Sequence, residues 1–192
     1  LALAAERGGR PEDPHKRDPL DFVLWQPSAD DEPSWESLWG PGRPGWHIEC
    51  SALAMRELDT TIDLHGGGED LVFPHHECEA AQSEAATGQA FVRHWMHQAM
   101  VCFEGAKMSK SLGNLVFVSD LLKDHDARVV RLALVAQHYR RSWEWTAASV
   151  TAAEARLDRW VRARASRSAD GVPQDVAEVL GRVRAALDDD LD

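Results

Sequence analysis

The spacing of apolar positions changes along the chain, and each change marks an element. Ile48, Leu53, Met55 and Leu58 recur at roughly helical spacing, which predicts a helix over 46–58 with Cys50 on its first turns. The β-branched run at 60–64 predicts a strand, and it ends in the triplet Gly66-Gly67-Gly68. Residues 75–87 are rich in Ala and Glu and read as a second helix, with Pro74 as a start signal and Gly88 as a stop. Residues 95–103 predict a second strand, turned by Glu104-Gly105. Strand, helix and strand in that order make a βαβ unit and therefore a parallel sheet. Ligands of such sheets gather at the carboxyl ends of the strands, where the glycine triplet and the residues after Val101 fall.

On either side the pattern is different. Leu1-Ala2-Leu3-Ala4-Ala5-Glu6 reads as the middle of a helix, and residues 7–19, rich in Gly, Pro and charge, read as a loop. Asp21-Phe22-Val23-Leu24-Trp25 is expected to be a short buried segment, helix or strand. A second loop over 27–44 carries Trp35 and Trp39, which are expected to pin it to the core. Beyond the βαβ unit, residues 127–138 form an apolar helical stretch. Val150, Ala153, Leu157, Trp160 and Val161 mark another helix, and Val176, Val179, Leu180, Val183 and Leu187 a further one. The expectation is an α/β body followed by an α-helical bundle.

Composition narrows the function classes. Of 192 residues, 44% are hydrophobic and 28% charged, as in ordinary globular proteins. No apolar run approaches the ~20 residues that would cross a bilayer, and no signal-peptide pattern opens the chain. Three cysteines at irregular spacing make no disulfide framework, which suits a reducing cytoplasm. The net charge of −11 weakens a nucleic-acid reading and mildly favours a small-molecule substrate. Both ends of the chain look cut, so a fragment is expected.

The candidate chemistry lies between Trp46 and Glu79. Asp70 follows the glycine triplet, where an acidic residue can accept a ribose hydroxyl. Cys50, His75, His76 and Glu79 flank the strand and are plausible metal ligands. Each piece has a plainer explanation. A glycine triplet can be a simple turn, and the close-spaced pairs of a zinc finger are absent. Their co-occurrence with Lys107-Met108-Ser109-Lys110-Ser111, after a strand and a turn, is what favours function.

That lysine run resembles the second signature of class I aminoacyl-tRNA synthetases, in which a loop brings two lysines to the ATP phosphates and offsets charge developing on pyrophosphate. Gly45-Trp46-His47-Ile48-Glu49-Cys50 with Phe73-Pro74-His75-His76-Glu77 resembles the cysteine-activating group of that class. The resemblance implies the second half of a Rossmann-like catalytic domain with a parallel sheet, followed by helices: a connective segment over 1–45, the catalytic half over 46–118 and a helical region over 119–192. It also implies Zn2+ on Cys50 and His75, with Glu79 as a further ligand in the tRNA-charging branch. In this group zinc binds the thiolate of L-cysteine, and a hydroxyl is a far poorer zinc ligand, which separates cysteine from serine. Trp46 would wall the side-chain pocket, with a plain core tryptophan as the alternative. Gly68, Glu69 and Asp70 would contact the cysteinyl-adenylate, as would the backbone at Val101. Lys107 and Lys110 would act on ATP, bound with Mg2+. Cys78 and Cys102 match no role and read as packed thiols.

The group has two branches. One transfers cysteine to tRNA, and the other joins it to the amine of glucosaminyl-inositol in mycothiol biosynthesis. Glu6-Arg7-Gly8-Gly9-Arg10-Pro11 resembles a Glu-Arg-Gly-Gly-Asp-Pro run of the aminosugar branch, with Arg10 in place of its Asp. Residues 115–119, His138-Tyr139-Arg140 and Trp143-Glu144-Trp145-Thr146 resemble that branch too. His65, Glu79 and residues 82–88 lie closer to the tRNA branch, and so do Arg156, Arg159, Arg162, Arg164 and Arg167, whose plainer reading is a solvated helix face. The aminosugar acceptor is favoured, in a monomeric cytoplasmic enzyme without membrane contact. The third protein ligand of the family, another Cys, and the first phosphate signature of the class have no counterpart here, so the fragment alone is expected to be silent. A zinc-stabilised module without catalysis is the third reading, and the intact lysine run argues against it.

Overall fold

The computed structural model describes residues 1–165 and 176–191, and the chain forms two compact units, Leu1–Gln98 and Ala99–Asp192. This division falls inside the segment 46–118.

The first unit begins with a short helix α1 (Ala2–Glu6) and a two-stranded antiparallel ribbon, β1 (Trp25–Gln26) with β2 (Arg43–Pro44). Helix α2 (Trp46–Glu57), strand β3 (Ile62–Gly68), helix α3 (Glu77–Thr87) and strand β4 (Val92–Gln98) follow. β3 and β4 pair in parallel from Ile62↔Val92 to Gly68↔Gln98, so the βαβ unit is present with α3 as its crossover. Gly88 at φ 70° ends α3 in the left-handed conformation, as the stop signal implies. Ile62 and Phe91 anchor the base of the sheet, 4% and 0% exposed.

Three expectations for this unit are corrected. The glycine triplet is not a turn after the strand but the last three of the seven residues of β3, pairing with Met96, His97 and Gln98. Residues 21–25 are not a buried segment: Val23 and Leu24 are about half exposed, and Trp25 alone among them joins a strand. Trp35 and Trp39 do not pin the 27–44 loop, being 56% and 78% exposed. Its own contacts shape that loop instead: Trp35 and Gly42 exchange backbone bonds of 2.8 and 3.0 Å, and Arg43 forks onto the Glu32 carboxylate at 2.7 and 2.9 Å.

Helix α2 has the expected limits but buries a different face. Ser51 is fully buried against α3, whereas Leu53 and Leu58 stay exposed. Gln82 on α3 donates to the Ser51 hydroxyl at 2.5 Å, and the small Ser51 and Ser83 side chains let the two helices approach closely.

In the second unit, β5 (Val101–Phe103) pairs antiparallel with β6 (Ala106–Lys107) and in parallel with β7 (Trp143–Glu144). The strand expected over 95–103 is thus two strands: the ladder of β4 stops at Gln98, and Ala99 donates its N–H to Tyr139 O at 2.7 Å. Glu104 and Gly105, at φ 54° and 77°, form the tight turn into β6. Helices α4 (Val118–Asp124), α5 (Ala127–Val135), α6 (Ala147–Ala165) and α7 (Val176–Asp188) complete the unit. α4 has too few apolar positions to announce itself by periodicity. Val129, Val130 and Ala133 of α5 pack on Trp145 and on Val150 and Ala153 of α6. α5 begins on Asp126, whose carboxylate accepts the Arg128 N–H at 2.8 Å. α7 takes no part in this core, since Val179, Leu180, Val183 and Leu187 are about half exposed. Its end is held instead by His138, Tyr139 and Arg140, all of which bond Asp190. Arg159, Arg162 and Arg164 are exposed on α6 and Arg156 is half-buried there; Arg167 lies outside the described residues.

Candidate functional site

The site of the first unit is a consequence of what α3 must bury. Its first two turns place Glu79 at zero exposure, between α2 and the end of β3. Neither carboxylate oxygen of Glu79 has a hydrogen-bond partner. A buried carboxylate costs several kcal/mol of desolvation unless something compensates it, and a bound cation would supply that compensation here. Burial pushes its pKa up to about 7.

Two sets of donors converge on Glu79. Cys50, His75 and Glu79 place one ligand atom each within 4.8 Å of one another, and so do His65, His76 and Glu79. His75 Nε2 lies 3.6 Å from Glu79 Oε2, His65 Nε2 3.4 Å and His76 Nε2 3.9 Å. The opposite ring nitrogens are engaged: His75 Nδ1 with His47 Nδ1 at 2.8 Å, and His76 Nδ1 with His97 Nε2 at 2.7 Å. Such outer contacts fix ring orientation and leave the inner nitrogen for a metal. The rings are held neutral, the form that ligates. Burial, then His47 and His65, lowers His75; burial, then His97, lowers His65. His76 falls to about 4 through burial and through His65, His97 and His75. Burial and the Glu79 and Glu49 charges raise the Cys50 thiol, which a metal would reverse. Thiolate, imidazole and carboxylate on one point form a donor set suited to zinc, so the residues fit the metal that the resemblance implies.

Gly67 explains why the triplet belongs to this site. A Cβ there would lie 2.7 Å from His76 Cε1 and 3.1 Å from Leu71 Cδ1, so glycine is what admits the His76 ring. Trp46, at the start of α2, is 59% exposed and hence not a core tryptophan. It stacks on His75 with ring centroids 4.3 Å apart. Trp46 and His75 form part of the wall of a cavity of about 480 Å³ that Asp70 and Cys78 also line. Gly68 ends β3, and Glu69 and Asp70 form the tight turn that follows. Asp70 O accepts from Arg7 Nη1 at 3.2 Å.

The remaining candidates belong to the second unit. Val101 opens β5, and its carbonyl accepts the Met108 N–H at 3.1 Å. Lys107 ends β6, Met108 packs on the helical core, and Lys110 is exposed on the loop. Asn114 clasps that loop: its carbonyl oxygen accepts the Ser109 N–H at 2.9 Å and its amide donates to Lys107 O at 3.2 Å. Cys102 lies half-buried in β5. The structure thus unites Cys50, His75, His76, Glu79 and Trp46 and adds His65 and His97. His65 lies two residues before Gly67 on β3 and His97 pairs with Gly67 from β4, which a period-of-two reading of the two strands could have found. Asn114 has no signal beyond its distance from the lysines.

Residues 3–155 match the family described as tRNA synthetases class I (C) catalytic domain, and the chain belongs to that family. Its fold is accordingly the α/β fold of a class I synthetase catalytic domain, with helices after it. The chain is 54% identical over 191 residues to the L-cysteine:1D-myo-inositol 2-amino-2-deoxy-alpha-D-glucopyranoside ligase of Thermobispora bispora, covering 99% of this chain and 46% of that protein. It is 53% identical over 194 residues to the ligase of the same name from Thermobifida fusca, covering 100% and 46%. The chain therefore spans about half the length of these relatives. The solved LeuRS of Agrobacterium radiobacter K84, in a ternary complex with tRNA and LeuAMS, shares the fold at a TM-score of 0.50 and 18% identity, over 67% of this chain and 21% of that one.

Proposed function

We propose that the protein carrying this chain activates L-cysteine with ATP as cysteinyl-adenylate and joins it to the amine of glucosaminyl-inositol, a step of mycothiol biosynthesis. The observation that carries the thiol half is the buried, unpartnered Glu79 carboxylate beside Cys50 and His75. The named ligases at 53–54% identity support the aminosugar acceptor.

Cys50, His75 and Glu79 would hold Zn2+, which supplies a Lewis acid that prefers a thiolate to a hydroxyl. Trp46 closes one side of the cysteine pocket and fixes the His75 ring by stacking. Gly68, Glu69 and Asp70 hold the adenylate at the end of β3, and the main chain at Val101 pairs with the adenine edge. The cysteine carboxylate forms a bond to the α-phosphorus of Mg2+-bound ATP while the bond to pyrophosphate breaks. Lys107 and Lys110 offset the negative charge that grows on the leaving group. The acceptor nitrogen then bonds to the acyl carbon, AMP departs with the electron pair of the broken C–O bond, and the nitrogen gives up a proton to solvent. Among the described residues no helix is long and apolar enough to cross a membrane. The reading places the enzyme in the cytoplasm as a monomer.

The test is to incubate the whole protein with ATP and labelled cysteine, offering glucosaminyl-inositol and tRNA in parallel. Label on the aminosugar, with release of AMP and pyrophosphate, is expected. Label on tRNA alone would replace this reading with tRNA charging.

A further inference from the structure

The run Glu6–Pro11 has no part in the chemistry so far, and its conformation separates what the backbone requires from what it does not. Gly8 sits at φ +88°, and Gly9 donates its N–H to Ala4 O at 2.8 Å, where a Cβ would lie 2.7 Å from that oxygen. Closing the short helix α1 accounts for both glycines. It does not account for the arginines. Arg7 reaches across the unit to Asp70 O, and with Arg10 it lines the cavity whose wall includes Trp46 and His75. Another strip of the lining comes from residues 16–23. Gly45 fixes that strip: its N–H bonds Leu24 O at 2.9 Å, and a Cβ at this position would lie 1.9 Å from Val23 O.

The lining is charged but balanced, with Arg7, Arg10 and Lys16 against Asp13, Asp21 and Asp70. A polyanion would call for an excess of cations. Donors interleaved with acceptors suit a neutral, hydroxyl-rich ligand, and a carboxylate suits a single ammonium. A cavity of about 480 Å³ lies within the range of small-ligand sites and can take a disaccharide-sized molecule. It shares Trp46 and His75 with the thiol site, so a nucleophile bound there reaches the acyl group without crossing protein.

We infer that this cavity is the acceptor subsite, where the Arg7–Arg10 loop and the strip around Lys16 bind the hydroxyls of an amino-sugar glycoside and present its amine beside Trp46. The assignment rests on the activity proposed above and adds the residues that choose the acceptor. The bond changes are those of the second step already described.

Two variants test it in the whole protein, each read by cysteine-dependent ATP–pyrophosphate exchange and by ligation against glucosaminyl-inositol concentration. Lys16→Ala removes a charged donor, and Leu20→Trp, at a position 52% exposed, fills space in the lining without touching the core. Lys16→Ala should raise the acceptor KM roughly 10- to 100-fold, the range for losing a charged hydrogen bond, Leu20→Trp should raise it by at least about 10-fold through steric exclusion, and each should change exchange by less than about twofold. An unchanged acceptor KM in both variants, with wild-type ligation intact, overturns the subsite and leaves the proposed activity standing. Exchange that falls in parallel with ligation also overturns it, because the cavity would then serve activation. Wild-type protein that charges tRNA and ignores the aminosugar removes the activity and the subsite together.

Discussion

Replacing Glu79 by Gln should have opposite effects on the metal-loaded and metal-free protein. The substitution keeps the volume of a fully buried side chain and removes its charge. With zinc present, it deletes a charged ligand, and the loss should exceed the ~10–100-fold typical of contacts one shell further out, so more than about 1.4–2.7 kcal/mol of binding free energy. Without metal, the carboxylate is a liability. Burial raises its pKa from 4.5 to about 7, and at about 1.4 kcal/mol per pH unit this amounts to about 3 kcal/mol. A carboxyl group with a raised folded-state pKa contributes its stability in full below 4.5 and loses it as pH rises through about 7. Gln does not titrate, so the metal-free variant should match the wild type near pH 4.5 and exceed it by up to about 3 kcal/mol above pH 7. Urea unfolding after chelation, repeated across pH, measures the second effect, and competition with a chromogenic chelator measures the first. A metal-free Gln variant less stable than the wild type at pH 8 would refute the account of Glu79 as an uncompensated charge awaiting a cation.

Gly67→Ala should lower stability by about 1–3 kcal/mol, the cost of forcing a methyl group into a packed site, and should reduce zinc content through the displaced His76 ring. Unaltered melting temperature and metal content would show that the ring has room to give. Lys110→Ala should slow adenylate formation by roughly 10- to 1,000-fold with little change in cysteine binding, because the lysine acts on charge that appears in the transition state. A change confined to the cysteine KM in the exchange assay would count against that role.

The sequence made the crossover unit legible because its signals are local. The helix expected over 46–58 spans Trp46–Glu57, and Gly88 stops α3 as glycine does elsewhere. The set Cys50, His75 and Glu79 was legible through a resemblance, and the structure brings these residues together. The misses come from tertiary context. A glycine triplet reads as a turn until a ring is known to press on Gly67. The apolar stretch 95–103 gives no hint that its two halves pair with different partners. Trp35 and Trp39 look like core anchors by type, yet the 27–44 loop is shaped by its own backbone bonds and by Arg43 and Glu32. Asn114 acts through a clasp that no spacing rule encodes.

The contact between His76 and His97 also acts as a check on assembly. His97 belongs to β4 and pairs with Gly67, whereas His76 closes the wide turn at 72–76 that leads into α3. Sliding β4 by one residue would turn His97 to the opposite face and bring a different side chain to the His76 ring. If the cluster holds the proposed zinc, the donor set would close around it only after β3 and β4 have met in the correct alignment. Metal uptake during refolding would time the arrival of that alignment, and a misaligned chain would be marked by failing to hold zinc.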